Sequence, residues 1–110
     1  MRKIEEKMIQ AIRNKEYFKL SNTQIIRTDY SIQVYLHGNK IADIYNNKIV
    51  LSSCRWRTVT TKSRLNAILS MYGFHIYQKD FTWFIHSADN SCSDITFYDI
   101  TFYDGIIIAI

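Results

Sequence analysis

WRTVTTKSRLNAILSMYG, residues 56–73, is the stretch whose reading decides the fold. Leu65, Ile68, Leu69 and Tyr72 recur at i, i+3, i+4 and i+7, so one helical face is apolar. A threonine hydroxyl at Thr60 or Thr61 can accept a bond from a free N–H of the first turn and start the helix. Gly73 can adopt the left-handed conformation that ends it. Arg55, Arg57, Lys62 and Arg64 crowd the start of this helix. With Trp56 and Thr61 they form the leading candidate binding cluster. Arginine and lysine position phosphates, and an aromatic ring between them stacks on a base. The competing reading is a solvated basic face with Trp56 in the core.

Both flanks of this helix read as antiparallel strands. Upstream, 31–37 and 40–45 form a hairpin around Gly38-Asn39, with glycine first as a type II′ turn prefers. That register sets Leu36 against Ile41, Val34 against Asp43 and Tyr35 against Ala42. Asn46-Asn47 makes a second turn, of type I′, that pairs Ile44 with Ile49 and Ala42 with Leu51. Residues 23–26 begin a further strand, so the upstream half is a meander. Before it, residues 2–15 read as an amphipathic helix with Ile4, Met8, Ala11 and Ile12 on one face. A connector follows, 16–22, with Tyr17, Phe18 and Leu20 as buried anchors. Downstream, 74–78 and 81–86 form a hairpin across Lys79-Asp80. A polar loop, 87–93, leads into a tandem repeat, DITFY at 94–98 and again at 99–103. Asp104-Gly105 turns the chain into a final buried strand, 106–110. The expected fold is therefore one α+β domain over 1–110: N-terminal helix and connector (1–20), antiparallel meander, central helix, further antiparallel strands.

Composition supports a single folded domain. In 110 residues, 47% are hydrophobic and 15% aromatic, too many for a disordered chain. The charge is uneven. Residues 1–64 hold 13 Lys/Arg and 5 Asp/Glu, a net of +8. Residues 65–110 hold one lysine and 5 aspartates, a net of −4. Such polarity marks an interaction surface, or two ends that neutralise each other within the fold.

Little points to catalysis. His37, His75 and His86 lie in or beside different strands, without the i, i+4 spacing of a helical metal site. No P-loop, nucleophile elbow or dinucleotide fingerprint is present. Cys54 and Cys92 lack zinc or redox spacing and read as reduced thiols. No catalytic residue, metal or cofactor is expected. The start MRKIEEKMIQ reads as no signal peptide. No run nears the roughly 18 apolar residues of a membrane span, so no membrane partner is expected.

LHGNKIA (36–42), WRTVTTKSRLNAIL (56–69), and YQK followed by WF (77–84) resemble a family of small tailed-bacteriophage proteins. That family shares a Leu-His-Gly-Asn-x-Ile-Ala turn, a tryptophan, Thr-Thr-Lys-x-Arg-Leu-Asn-Ala, a Gln-Lys hairpin and an Asp-Gly turn. The resemblance covers roughly residues 22–86 and resumes at 104–110. It leaves out the N-terminal helix and 87–103, which reads as an inserted acidic and aromatic segment. The resemblance implies a phage protein acting in the cytoplasm of a bacterial host. It implies a binding role, first as an inhibitor of a host defence nucleoprotein complex, as anti-CRISPR proteins are. In that role Asp94, Tyr98, Asp99, Tyr103 and Asp104 form a second partner surface, an exposed hairpin that meets a basic protein. The alternative is direct binding of DNA or RNA through residues 55–64. A small nucleotide-degrading enzyme comes third.

Overall fold

A computed structural model describes residues 1–87 and 99–110. The fold is α+β, with two helices and nine strands among the described residues. Helix α1 (Lys3–Asn14) leads to β1 (Phe18–Leu20), β2 (Thr23–Arg27), β3 (Ile32–Leu36), β4 (Asn39–Ile44) and β5 (Lys48–Leu51). Helix α2 (Val59–Ser70) follows, then β6 (Phe74–Lys79), β7 (Thr82–Ser87), β8 (Asp99–Thr101) and β9 (Ile106–Ala109). The six-stranded sheet runs β1-β2-β3-β4-β5-β9, and the three-stranded sheet runs β6-β7-β8. Every pairing is antiparallel.

Alternation along β3 buries Ile32, Val34 and Leu36 and leaves Gln33 and Tyr35 half-buried. A sheet patterned in this way needs cover on one face only. The cover comes from α1 and α2, whose Met8, Ile12, Leu65, Ile68 and Leu69 join the strand residues in one core. That core continues to Ile76, Trp83, Ile85 and Phe102 of the smaller sheet.

α2 begins two or three residues earlier than the threonine rule placed it. Thr58 is the N-cap, and its hydroxyl accepts the Thr61 N–H at 3.1 Å. Leu65, Ile68 and Leu69 are fully buried as the periodicity requires, and Gly73 takes φ +80° just beyond the helix. α1 is turned slightly from the expected face: Glu5 and Ile9 are buried beside Met8, Ala11 and Ile12, while Ile4 is half-buried.

Several strand details differ from expectation, each for a local reason. The β3–β4 turn is His37-Gly38, with φ of 51° and 77°. Two positive φ values match the right-handed strand twist, as a type I′ turn does. Leu36 therefore pairs with Asn39 and Tyr35 with Lys40, and a bulge shifts Val34 onto Ala42. The β6–β7 turn likewise moves one residue, to Asp80-Phe81, with φ of 51° and 63°. Asn46-Asn47 sits where expected, and Ile44↔Ile49 and Ala42↔Leu51 hold. Neither asparagine has positive φ, so that turn is not type I′. The connector forms edge strand β1, with Tyr17 and Leu20 exposed and Phe18 half-buried. β9 is also an edge strand: Ile106 and Ile108 are buried, whereas Ile107 faces outward. The second DITFY copy is not a protruding hairpin. Its Asp99–Thr101 pairs with β7 and its Phe102 enters the core. The first copy, with Asp94 and Tyr98, lies outside the described residues, as do Cys92 and most of the 87–93 loop.

Candidate functional site

The six residues of the basic cluster separate in the fold. Arg64 is buried and turns inward. Its Nη1 donates to Glu5 Oε2 at 2.7 Å, its Nε to Thr23 Oγ1 at 3.0 Å, and its Nη2 to Asn22 Oδ1 at 3.3 Å. Ser63 Oγ also donates to Glu5 Oε2, at 2.6 Å. Burial pushes the Glu5 carboxyl pKa up, but these bonds, the Arg2 N–H and the Arg64 charge outweigh it and the net shift is downward. Arg64 thus fastens α2 to α1 and β2. Thr61 is buried too, bonded to Thr58 at the helix cap.

Arg57 lies on an aromatic bed. Its guanidinium carbon is 5.4 Å from the Trp83 ring centre and 5.3 Å from that of Phe102, within cation–π range. Arg55 is exposed and Lys62 half-buried. Trp56 is 66% exposed, so the reading that put it in the core does not hold. Arg55 and Arg57 do not project from a straight strand, because Cys54 and Arg55 adopt φ of 52° and 65°.

The motif Thr-Thr-Lys-x-Arg-Leu-Asn-Ala therefore resolves mostly into architecture. Thr61 serves the cap, Arg64 the ion pair, and Leu65 and Ala67 the core. Asn66 docks α2 on β6 as a strand would: its Nδ2 donates to Ile76 O at 3.1 Å and its Oδ1 accepts the Ile76 N–H at 2.5 Å. Only Lys62 of the charged positions is left toward solvent.

What converges instead is the LHGN turn with the WRTVTT segment. Together they enclose a cleft of about 440 Å³. Leu36 and Ile41 form an apolar floor, His37 and Asn39 one side, and Trp56, Thr58 and Thr60 the other. A second hollow of about 430 Å³ has Arg2, Val59 and Lys62 among its lining residues. Sequence spacing could not show this, because Arg2 and Lys62 meet only through the packing of α1 on α2. A larger depression of about 580 Å³, near Lys15, Arg27, Tyr30 and Tyr72, contains none of the motif residues.

Of the proposed acidic surface, Asp99, Tyr103 and Asp104 are described and exposed, and both carboxylates also make bonds within the fold. Asp104 Oδ1 accepts from Ser53 N and Ser53 Oγ, both at 2.7 Å, and Oδ2 accepts from Arg55 N at 3.1 Å. Asp99 accepts from Tyr77 Oη at 2.9 Å and pairs with His86 Nδ1 at 2.8 Å. His86 and Tyr77 hold the Asp99 carboxyl pKa below its usual value, and the same bond to Asp99 raises that of Tyr77. Tyr103 is exposed. The Cys54 thiol is free and donates to Lys40 O at 3.1 Å. Among the described residues, no group of three or more His, Cys, Asp or Glu is arranged to hold a metal ion.

Fold and cleft together define a small α+β protein with a cleft bordered by Trp56, His37 and threonine hydroxyls. The chain belongs to the Kyanoviridae Gp96 protein family, a bacteriophage family whose model matches residues 1–109. The matched range includes α1 and 87–103, the two parts that the motif resemblance left out. Comparison with curated proteins and with solved structures finds no match. No helix among the described residues is long and apolar enough to cross a membrane.

Proposed function

We propose that this phage protein acts by binding rather than turnover, and that its Trp56 cleft takes an exposed strand of nucleic acid. The observation that carries this reading is the 66% exposed Trp56 at the cleft mouth. An indole in water beside cations is a stacking platform for a base, worth roughly 1–3 kcal/mol per base. Arg55, exposed and next to Trp56 in the chain, and Arg2 and Lys62, which line the second hollow, are the cations that the phosphates of such a strand would meet. Thr58 and Thr60 offer hydroxyls to a sugar or phosphate. The host-side target that fits a phage protein is a defence nucleoprotein complex whose strand it would occupy, in the host cytoplasm. Inhibition by phosphate mimicry has less support, because the carboxylates of Asp99 and Asp104, though exposed, already bond to neighbours in the fold. The second reading, a purely protein partner, rests on the exposed Val59 (73%) beside Trp56, an apolar pair suited to an interface centre.

The test is fluorescence anisotropy with labelled single-stranded DNA and RNA over a salt series. The expected result is a log–log salt slope of about −0.7 to −2, from one to three phosphate contacts on a single strand, and loss of binding in Trp56→Ala. Capture of a host complex that survives nuclease treatment, with no binding to bare strands, would overturn the nucleic-acid reading in favour of the protein one.

A further inference from the structure

We propose that the corner Phe102–Asp104 is the positioning element of the Trp56 site: it holds the 53–57 loop from both sides so that the indole is presented ready-formed. This rests on the reading of Trp56 as the binding residue.

The loop has a conformation that its own sequence does not favour. Cys54 and Arg55 are consecutive non-glycine residues with φ of 52° and 65°. Such residues persist only where their surroundings over-determine them. Here the determinant is a carboxylate. Asp104 accepts the N–H of Ser53, just before the left-handed pair, and that of Arg55, its second member, and the Ser53 hydroxyl as well. Successive N–H groups in such a turn form a concavity for an anion, and the anion is the protein's own Asp104. Trp56 N–H closes the turn onto Ser53 O at 2.9 Å. On the far side of Trp56, Arg57 lies against the Trp83 and Phe102 rings, and its Nη2 donates to Phe102 O at 3.5 Å. Residues before and after Trp56 are therefore tied to 102–104, while the indole between them stands in water. A loop held in its binding geometry loses less conformational freedom when a ligand arrives.

The experiment measures the local motion of Trp56 by time-resolved anisotropy in a Trp83→Phe background, without ligand. Asp104→Ala should at least double the amplitude of fast depolarisation, with Asp104→Asn between Ala and the parent, since its amide oxygen can still accept from Ser53. Ser53→Ala, which removes one bond of the three, is the milder variant should Asp104→Ala fail to fold, and it should move the same signal in the same direction. Binding of a labelled single-stranded oligonucleotide should weaken about tenfold in Asp104→Ala. Unchanged Trp56 motion in the folded variants overturns the proposal, even if affinity falls. Increased motion with unchanged affinity leaves the positioning role standing and removes the nucleic-acid reading of the cleft instead.

Discussion

Replacing Glu5 with glutamine should be among the most damaging substitutions in this chain, although Glu5 lies in the first turn of an N-terminal helix. Its carboxylate is nearly inaccessible, with 3% of the side-chain surface exposed, and that of Arg64 is 4%. Oε2 accepts from Arg64 Nη1 and Ser63 Oγ at 2.7 and 2.6 Å, and Oε1 from Arg2 N at 3.2 Å. Glutamine preserves the shape but leaves the Arg64 guanidinium buried without a counter-charge. Breaking a buried pair from one side costs about 3–5 kcal/mol, against a total stability of about 5–15 kcal/mol. At roughly 4 °C per kcal/mol for a chain of this size, Tm should fall by about 12–20 °C. The pH dependence has a definite sign. Because the folded pKa is lowered from 4.5, the stabilisation is complete above the unfolded value and is lost as pH falls through the lower folded one. Glu5→Gln should remove that acid-sensitive component. Urea unfolding of the parent, Glu5→Gln, Arg64→Met and the double variant would isolate the coupling. A cost below about 1 kcal/mol for Glu5→Gln, or a coupling near zero, would refute the claim that this pair fastens α1 to α2.

Other substitutions sort surface from scaffold. Leu69→Ala should cost about 2–5 kcal/mol by chemical denaturation, since Leu69 is fully enclosed; an unchanged midpoint would contradict the packing of α2. Trp56→Ala and Lys62→Ala should leave Tm within a few degrees, and Lys62→Ala should reduce the salt slope of single-strand binding by about 0.7. Arg64→Ala should instead lower stability, so any loss of binding should track the unfolded fraction in a thermal melt. Deleting five residues of the repeat should leave a folded protein by circular dichroism. Removing 94–98 or 99–103 yields the same chain, and the remaining DITFY can supply β8 and the buried phenylalanine. Phe102→Ala, by contrast, should cost about 3–5 kcal/mol, because that ring packs 5.5 Å from Trp83.

The helices were legible because a 3.6-residue apolar period survives any tertiary context: Leu65, Ile68 and Leu69 are buried as spaced. Order of elements and antiparallel pairing followed from turn residues at short intervals. Register was less legible. Where the turn left no choice, at Asn46-Asn47, two pairs were correct. At Gly38-Asn39 the glycine rule favoured the wrong dipeptide, since His37 accepts a positive φ and Gly38 takes the second one. The candidate site was legible in location but not in membership. Charge spacing grouped Arg64 with Arg55 and Lys62, yet a helix start has an inward side as well as an outward one. The signal that could have separated them was Glu5, an acid one turn behind Met8 on the apolar face of α1, with no basic residue three or four positions further along its own helix.

That same Glu5 lies in the half of the chain with excess positive charge. Excess positive charge in residues 1–64 and excess negative charge afterwards read as an interaction surface, or as two ends that neutralise each other within the fold. The fold uses some of each charge internally. Glu5 takes Arg64 out of the basic cluster, and Asp104 grips the loop that carries Arg55, with Arg57 close enough to help lower its carboxyl pKa. Burial alone would raise that pKa; the bonds from Ser53 and Arg55 reverse the shift. Most of the basic residues of 1–64 stay on the surface, but among the described residues no lysine or arginine lines the cleft, where Trp56 is the exposed ring. At the cleft itself, affinity must therefore come from contact. Binding at this cleft should therefore depend more on the Trp56 ring than on any one lysine or arginine. Trp56→Phe should retain most of the affinity that Trp56→Ala loses, because stacking needs a ring face and not the indole N–H. Equal loss in both variants, at one salt concentration, would show that the ring is not the contact and would return the argument to charge.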